Sequence, residues 1–153
     1  MGAAGLEPAS TGGILCGMSQ EAVEIVRSAF DATATGGLRQ AAEKYWHPEI
    51  EYVEDPRWPG ASSYKGRDAV LRCWRGYTET LGAEADFTIS VERVLDAGER
   101  QVPLIRFHSQ GSASGVPHEH LWAYVVEVRE GRIAYLRAYY EPSEALEAVG
   151  LSE

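Results

Sequence analysis

The stretch Tyr45-Trp46-His47-Pro48-Glu49-Ile50-Glu51-Tyr52-Val53-Glu54-Asp55-Pro56 decides how the chain folds. Pro48 ends a helix, because the residue before a proline is pushed out of the α region. Ile50 and Tyr52 then alternate with Glu51 and Val53, the period of a half-buried strand. If Ile50 and Tyr52 face the interior, Glu54 faces it too, since strand side chains repeat every second residue. A carboxylate aimed at an apolar interior is costly unless it is paired, hydrogen-bonded or protonated. That cost makes Glu54 and its neighbour Asp55 the first candidates for a functional site. The competing interpretation puts both at a wet strand end, where Pro56 merely starts a turn.

Upstream, Ala22, Ile25, Val26, Ala29, Phe30 and Thr33 repeat at helical spacing, with Ser19 as the cap and Gly36-Gly37 as the stop. Leu38, Ala41, Ala42, Tyr45 and Trp46 give a second helix. Residues 1–18 carry neither a basic start nor an apolar run and are expected to be a disordered leader. Downstream, residues 55–66 form a Pro- and Gly-rich loop. Arg67-Asp68 open a third helix with Val70, Cys73, Trp74, Tyr77 and Leu81 on one face and Gly82 as its stop.

The pattern then changes to period two. Phe87, Ile89 and Val91 begin a strand, Asp96-Ala97-Gly98-Glu99 turns it, and a second strand covers about 101–110, with Pro103 at an edge or bulge. Gly111–Gly115 is a loop. A long strand runs from His118 to about Arg129, Glu130-Gly131 turns it, and a last strand covers 132 to about 141. Pro142-Ser143 start a short closing helix. The order is α-α-β-α-β-β-β-β-α, which is α+β with an antiparallel sheet folded against three helices. A hollow between sheet and helices is a common ligand site.

The chain of 153 residues is one domain by size, over about 19–151. Its net charge of −9 excludes nucleic acid and anionic membrane surfaces as partners. Cys16 and Cys73 have no metal-type spacing and read as free thiols of a reducing, cytoplasmic compartment.

The H-P-E-I-E-Y-V-E-D-P segment, the Y-K-G-R-D-A-V opening of the third helix at Tyr64–Val70, the closing E-A-L-E-A-V-G-L at 144–151 and the order of elements together resemble the NTF2-like superfamily, in particular its SnoaL-like group, relatives of ketosteroid isomerase and polyketide cyclases. The resemblance covers about residues 19–151. It implies a cone, a curved sheet wrapped around helices, which dimerises through the outer sheet face. It also implies proton-transfer chemistry on a small apolar molecule, with no metal and no organic cofactor.

Ketosteroid isomerases carry their base as the Asp of a V-E-D-P stretch. Val53-Glu54-Asp55-Pro56 matches and points to Asp55, whereas an ungapped count from Trp46 points to Glu54, as alternation does. Both stand as candidates. The isomerases' helix-one tyrosine falls near Ala29 or Phe30, neither with a hydroxyl, and their second oxyanion donor falls near Tyr124. Steroid isomerisation itself is therefore not expected.

On the long strand, His118, His120, Trp122 and Tyr124 share a face with Val126 and Val128. His118 and His120 are surface or dimer-interface groups, or an acid–base pair, or with His108 a metal set. The acid–base choice has Tyr124, with His120 or Arg106, stabilise the developing oxyanion. Arg106, with Leu104, is expected to point inward toward Glu54 or Asp55. Tyr52, Trp58, Trp74, Arg106, His108, His118, Trp122 and Tyr139 complete the expected binding surface, with Trp58 gating it from the Pro-rich loop. The expected function is a cofactor-independent isomerase or cyclase acting on an apolar carbonyl compound. The alternative is a non-catalytic binding or dimerisation module of the same fold.

Overall fold

The structure is a computed structural model that describes residues 9–34, 37–58, 60–80, 88–110 and 117–151. In chain order these form α1 (Ala9–Ala34), α2 (Leu38–Tyr45), β1 (Trp46–Val53), β2 (Ser63–Lys65), α3 (Arg67–Thr80), β3 (Thr88–Asp96), β4 (Gln101–Gln110), β5 (Pro117–Arg129), β6 (Arg132–Tyr139) and α4 (Pro142–Ala148). The six strands make one sheet in the order β2-β1-β6-β5-β4-β3. Every neighbouring pair is antiparallel except β1 and β6, which run parallel.

The chain is α+β, as its pattern of periods predicts, with three differences. α1 begins at Ala9, upstream of the Ser19 expected to cap it. β1 begins at Trp46 rather than 49. β2 lies inside the segment expected to be loop. Residues 1–8, Leu81, Gly82, Phe87 and residues 111–116, among them the loop expected at 111–115, lie outside the described residues.

The sheet curves around α1, α2 and α3, and the main core lies between them. Val26, Ala29 and Phe30 come from α1, Ala42 from α2, and Val70 and Leu71 from α3. The sheet contributes Trp46, Ile50, Tyr52, Ile105, Tyr124, Val126, Leu136 and Ala138. Most of these positions keep the helical or alternating spacing seen in the sequence, whereas Leu71, beside Val70, lies outside the face expected for α3 and Ile133 breaks the alternation of Leu136 and Ala138.

The opposite face is not bare. Ala145 and Leu146 of α4 pack there on Val102, Ala123 and Val125, with Leu95, Leu104 and Tyr139 around them. Two apolar layers therefore sandwich the middle of β4, β5 and β6. The β5–β6 hairpin closes through Glu130 and Gly131, with φ of 55° and 77°. Two consecutive positive φ values fit the right-handed twist of the flanking strands.

Candidate functional site

β1 delivers Glu54 to the interior just beyond its last residue. Glu54 is 5% exposed. Its amide donates to the Ser62 carbonyl at 3.0 Å, and the Ser62 amide donates back to Glu54 Oε1 at 3.0 Å. This pair of bonds closes the loop between them and anchors one carboxylate oxygen. The other oxygen turns to α3, where Cys73 Sγ donates to Oε2 across 3.6 Å. Tyr64 of β2 joins them. Burial, then Cys73 and Glu54, push its pKa above the usual tyrosine value. Tyr124 of β5, 3% exposed, has its pKa raised more strongly, by burial first and by Cys73 second. Its hydroxyl therefore stays protonated near neutrality and is available as a donor.

Around this polar group stands a box of rings. Trp74 of α3 lies 5.5 Å from Trp46, 5.7 Å from Tyr52, 6.1 Å from Phe30 and 6.3 Å from Tyr124, centroid to centroid. Phe30 meets Tyr124 at 5.3 Å, and Tyr52 stacks on its cross-strand partner Tyr64 at 6.4 Å. Most of these contacts are tilted or edge-to-face, the arrangement favoured by ring quadrupoles. Trp74 Nε1 is buried with no hydrogen-bond partner. An orphaned indole N–H is expensive in an apolar interior.

Asp55, one residue on, is 2% exposed but differently employed. Oδ1 accepts from the Arg57 amide at 2.8 Å and Oδ2 from the Tyr140 amide at 2.7 Å. The Arg57 guanidinium adds a contact of 3.2 Å to Oδ2 and continues to Glu144 on α4. Both oxygens are thus engaged in joining the exit of β1, the end of β6 and α4.

Farther along the same face of β5 lie Trp122 and His120, the latter about 13 Å from Tyr124 along an extended strand. His120 stacks on Tyr140 at 3.9 Å and donates from Nε2 to the Tyr140 carbonyl at 2.8 Å. Residue 140 therefore links His120 to Asp55 through its two backbone polar groups. Trp122 contacts Trp58 at 6.2 Å, Phe107 at 5.9 Å and Tyr140 at 5.3 Å, all tilted or edge-on. Tyr140, 39% exposed, marks the solvent side of this second ring cluster.

Three expected residues fall elsewhere. Arg106 points away from the carboxylates and pairs with Glu92 at 2.6 Å and Glu119 at 3.6 Å. His108 is on that same outer face, with Nδ1 3.1 Å from Glu119. Ile105 and Phe107 take the inward positions on β4. His108 and His120 consequently look to opposite sides of the sheet and cannot share a metal ion. Tyr139 packs toward α4, with Arg137 5.0 Å over its ring. The side chain of His118 lies outside the described residues. No group of three or more His, Cys, Asp or Glu able to hold a metal occurs among the described residues.

Three residues of the assembled site escaped sequence reasoning. Cys73 looked like a small apolar residue on the buried face of α3. Tyr64 sits on a strand too short to show alternation. Tyr140 stands beside Tyr139, and the choice between them depends on which face of β6 is inward. An open groove of about 730 Å³ exists far from this cluster, lined by Ser19, Ala22, Asp96, Gln101 and Glu127 among others. None of the candidate site residues lines it.

Comparison with known proteins matches this architecture. An NTF2-like protein from Burkholderia thailandensis is 24% identical, with a TM-score of 0.62 over 82% of this chain and 95% of that one. A protein of ketosteroid isomerase-like fold from Catenulispora acidiphila, solved with trimethylamine, is 20% identical, with a TM-score of 0.60 over 84% and 93%. A candidate polyketide cyclase from Sinorhizobium meliloti is 19% identical, with a TM-score of 0.59 over 79% and 98%. At these identities the likeness is one of fold, the NTF2-like cone. No curated protein matches the chain significantly. A family model described as the SnoaL-like domain matches residues 26–136, and the chain belongs to that family.

Proposed function

We propose that the chain binds a small apolar carbonyl compound against the inner face of its sheet and moves a proton on it. Glu54 is the base. Its Oε2 takes the proton from the carbon next to the carbonyl, and the electron pair moves to the carbonyl oxygen. The Tyr124 hydroxyl donates to that oxygen as charge develops, and such stabilisation is usually the largest contribution to catalysis of this kind. Return of the proton at another carbon completes an isomerisation or accompanies a ring closure. Polyketide ring closure is one such reaction, the one for which the Sinorhizobium neighbour is named.

The observation that carries this reading is the placement of Glu54. It is buried, its Oε1 is anchored by the Ser62 amide, and its Oε2 is turned to the helix that also bears Trp74. Asp55 does not compete for the role, because backbone amides hold both of its oxygens. A thermal-shift screen of apolar ketones and lactones, followed by product analysis, tests the reading. Glu54→Gln should keep ligand stabilisation and lose turnover by about 10²- to 10⁴-fold, the range for a general base. Wild-type turnover in that variant would remove Glu54 from the chemistry.

One observation favours a second reading, a binding module without turnover. Phe30, which has no hydroxyl, occupies the helix-one wall of the box against Tyr124. In that case ligands stabilise the protein equally with or without Glu54→Gln, and no product forms.

A further inference from the structure

We propose that Cys73 is a positioning residue of this site, its thiol donating to Glu54 Oε2 and so fixing the carboxylate oxygen that receives the proton. This rests on the reading of Glu54 as the base. The Ser62 amide holds Oε1 from the loop side. A carboxylate held at one oxygen still rotates about its broad terminal torsion. The second attachment comes from the other direction, from α3, with Sγ 3.6 Å from Oε2.

Chemistry explains why a thiol suits this place. It is a weak donor, so it orients Oε2 without consuming the oxygen's ability to accept a proton. Asp55 shows the contrast, since two amides and a guanidinium leave it no such freedom. The local sequence fixes the thiol's position. Val70, one turn earlier on α3, is fully buried, and Trp74, the next residue, packs on the same core.

Cys73 also stands between the base and the donor. Among the described residues, Glu54 beyond β1, Tyr64 on β2 and Tyr124 on β5 are ionisable groups that act on it. Tyr64 is in hydrogen-bonding contact with both Cys73 and Glu54. When the substrate proton arrives on Oε2, the thiol keeps its own hydrogen and turns it toward the Tyr64 oxygen. No proton is gained or lost by the thiol during the step.

The test uses the full chain carrying Cys16→Ser, labelled with carbon-13 at cysteine Cβ, so that one resonance follows the ionisation of Cys73. A carboxylate beside a thiol opposes its ionisation. Glu54→Gln should lower the titration midpoint by about one pH unit, and Asp55→Asn should leave it in place. An unmoved midpoint in Glu54→Gln, or an equal shift in Asp55→Asn, overturns the proposal.

Kinetics gives the second readout. Cys73→Ala should lower kcat by about ten- to a hundredfold through misplacement of the base, with KM unchanged. Cys73→Ser keeps an orienting donor but a stronger one, so it should recover part of the loss, and a serine variant no more active than alanine counts against the proposal. The two readings fail separately. A midpoint shift with no turnover of any substrate removes the acid–base function and leaves the pair. Turnover lost in Glu54→Gln with no midpoint shift removes the pair and leaves the base.

Discussion

Glu54 and Asp55 are adjacent, both acidic and both nearly inaccessible, yet their surroundings give them different work. Asp55 meets one backbone amide on each oxygen, from Arg57 and from Tyr140. Asparagine can present an acceptor to only one of them, and its NH₂ would face the other. Asp55→Asn should therefore cost about 1–3 kcal/mol of stability, the penalty for an unsatisfied buried donor. Glutamine at position 54 still accepts from the Ser62 amide through its carbonyl oxygen, and its NH₂ faces the Cys73 thiol, which unlike a backbone amide can turn its hydrogen away and accept. Glu54→Gln should cost less than about 1 kcal/mol. Urea unfolding of the two variants beside wild type measures both, and the reverse ranking would exchange the two assignments. Alternation along β1 was enough to aim Glu54 inward, and alternation along β5 was enough to align Tyr124 with Trp122. It could not say what Asp55 touches, because Tyr140 lies just past the end of β6, a strand parallel to β1 and distant in sequence. Nor could it mark Cys73, whose chemistry shows only when Glu54 is placed opposite.

At the scale of elements, period and turn chemistry made most helices and strands legible, since Gly, Pro and the change from helical to alternating spacing all coincide at their ends. β2 was not, because three residues between glycines carry no period. The inward faces of β4 and β6 were not either. α4 buries Val102, Leu104 and Tyr139 on the far side of the sheet, so both faces of these strands are apolar and alternation alone cannot rank them. That is why the sequence pattern points Arg106 toward the carboxylates while it sits with Glu92 outside. α4 is held to the site-bearing loop by Arg57, which bridges Asp55 and Glu144. The Arg57–Glu144 half is exposed, with 49% and 41% of the two side chains in solvent. Glu144→Gln should cost less than about 1 kcal/mol, and the loss should shrink in high salt. Arg57→Met should cost more, because it strips the counter-charge from a buried carboxylate. Thermal unfolding at low and high salt separates them. Equal losses would mean that the guanidinium serves α4 and not Asp55.

For the molecule as a whole, the ring box makes the fold sensitive to alkali. Tyr124 is sealed at its centre, touching Phe30 and Trp74, and burial raises its pKa above the ordinary value near 10. Below pH 10 the folded and unfolded chains both hold this proton, and stability does not depend on it. Above pH 10 the unfolded chain releases the proton while the folded chain keeps it, so each further pH unit favours unfolding by about 1.4 kcal/mol. The contribution is thus complete below the unfolded pKa and is lost as pH climbs toward the folded one. Tyr64 and Tyr135, also raised chiefly by burial, act in the same direction. Tyr124→Phe keeps the ring contacts and removes the ionisable group, so it isolates one proton from the rest. Urea midpoints from pH 7 to 11.5 should run parallel for wild type and variant up to about pH 10. Beyond that the wild type should fall more steeply, by about one proton's worth. Parallel curves throughout would show that the hydroxyl at the heart of the cone ionises as freely as in water, and a Tyr124 so hydrated could not serve as a donor in a dry site.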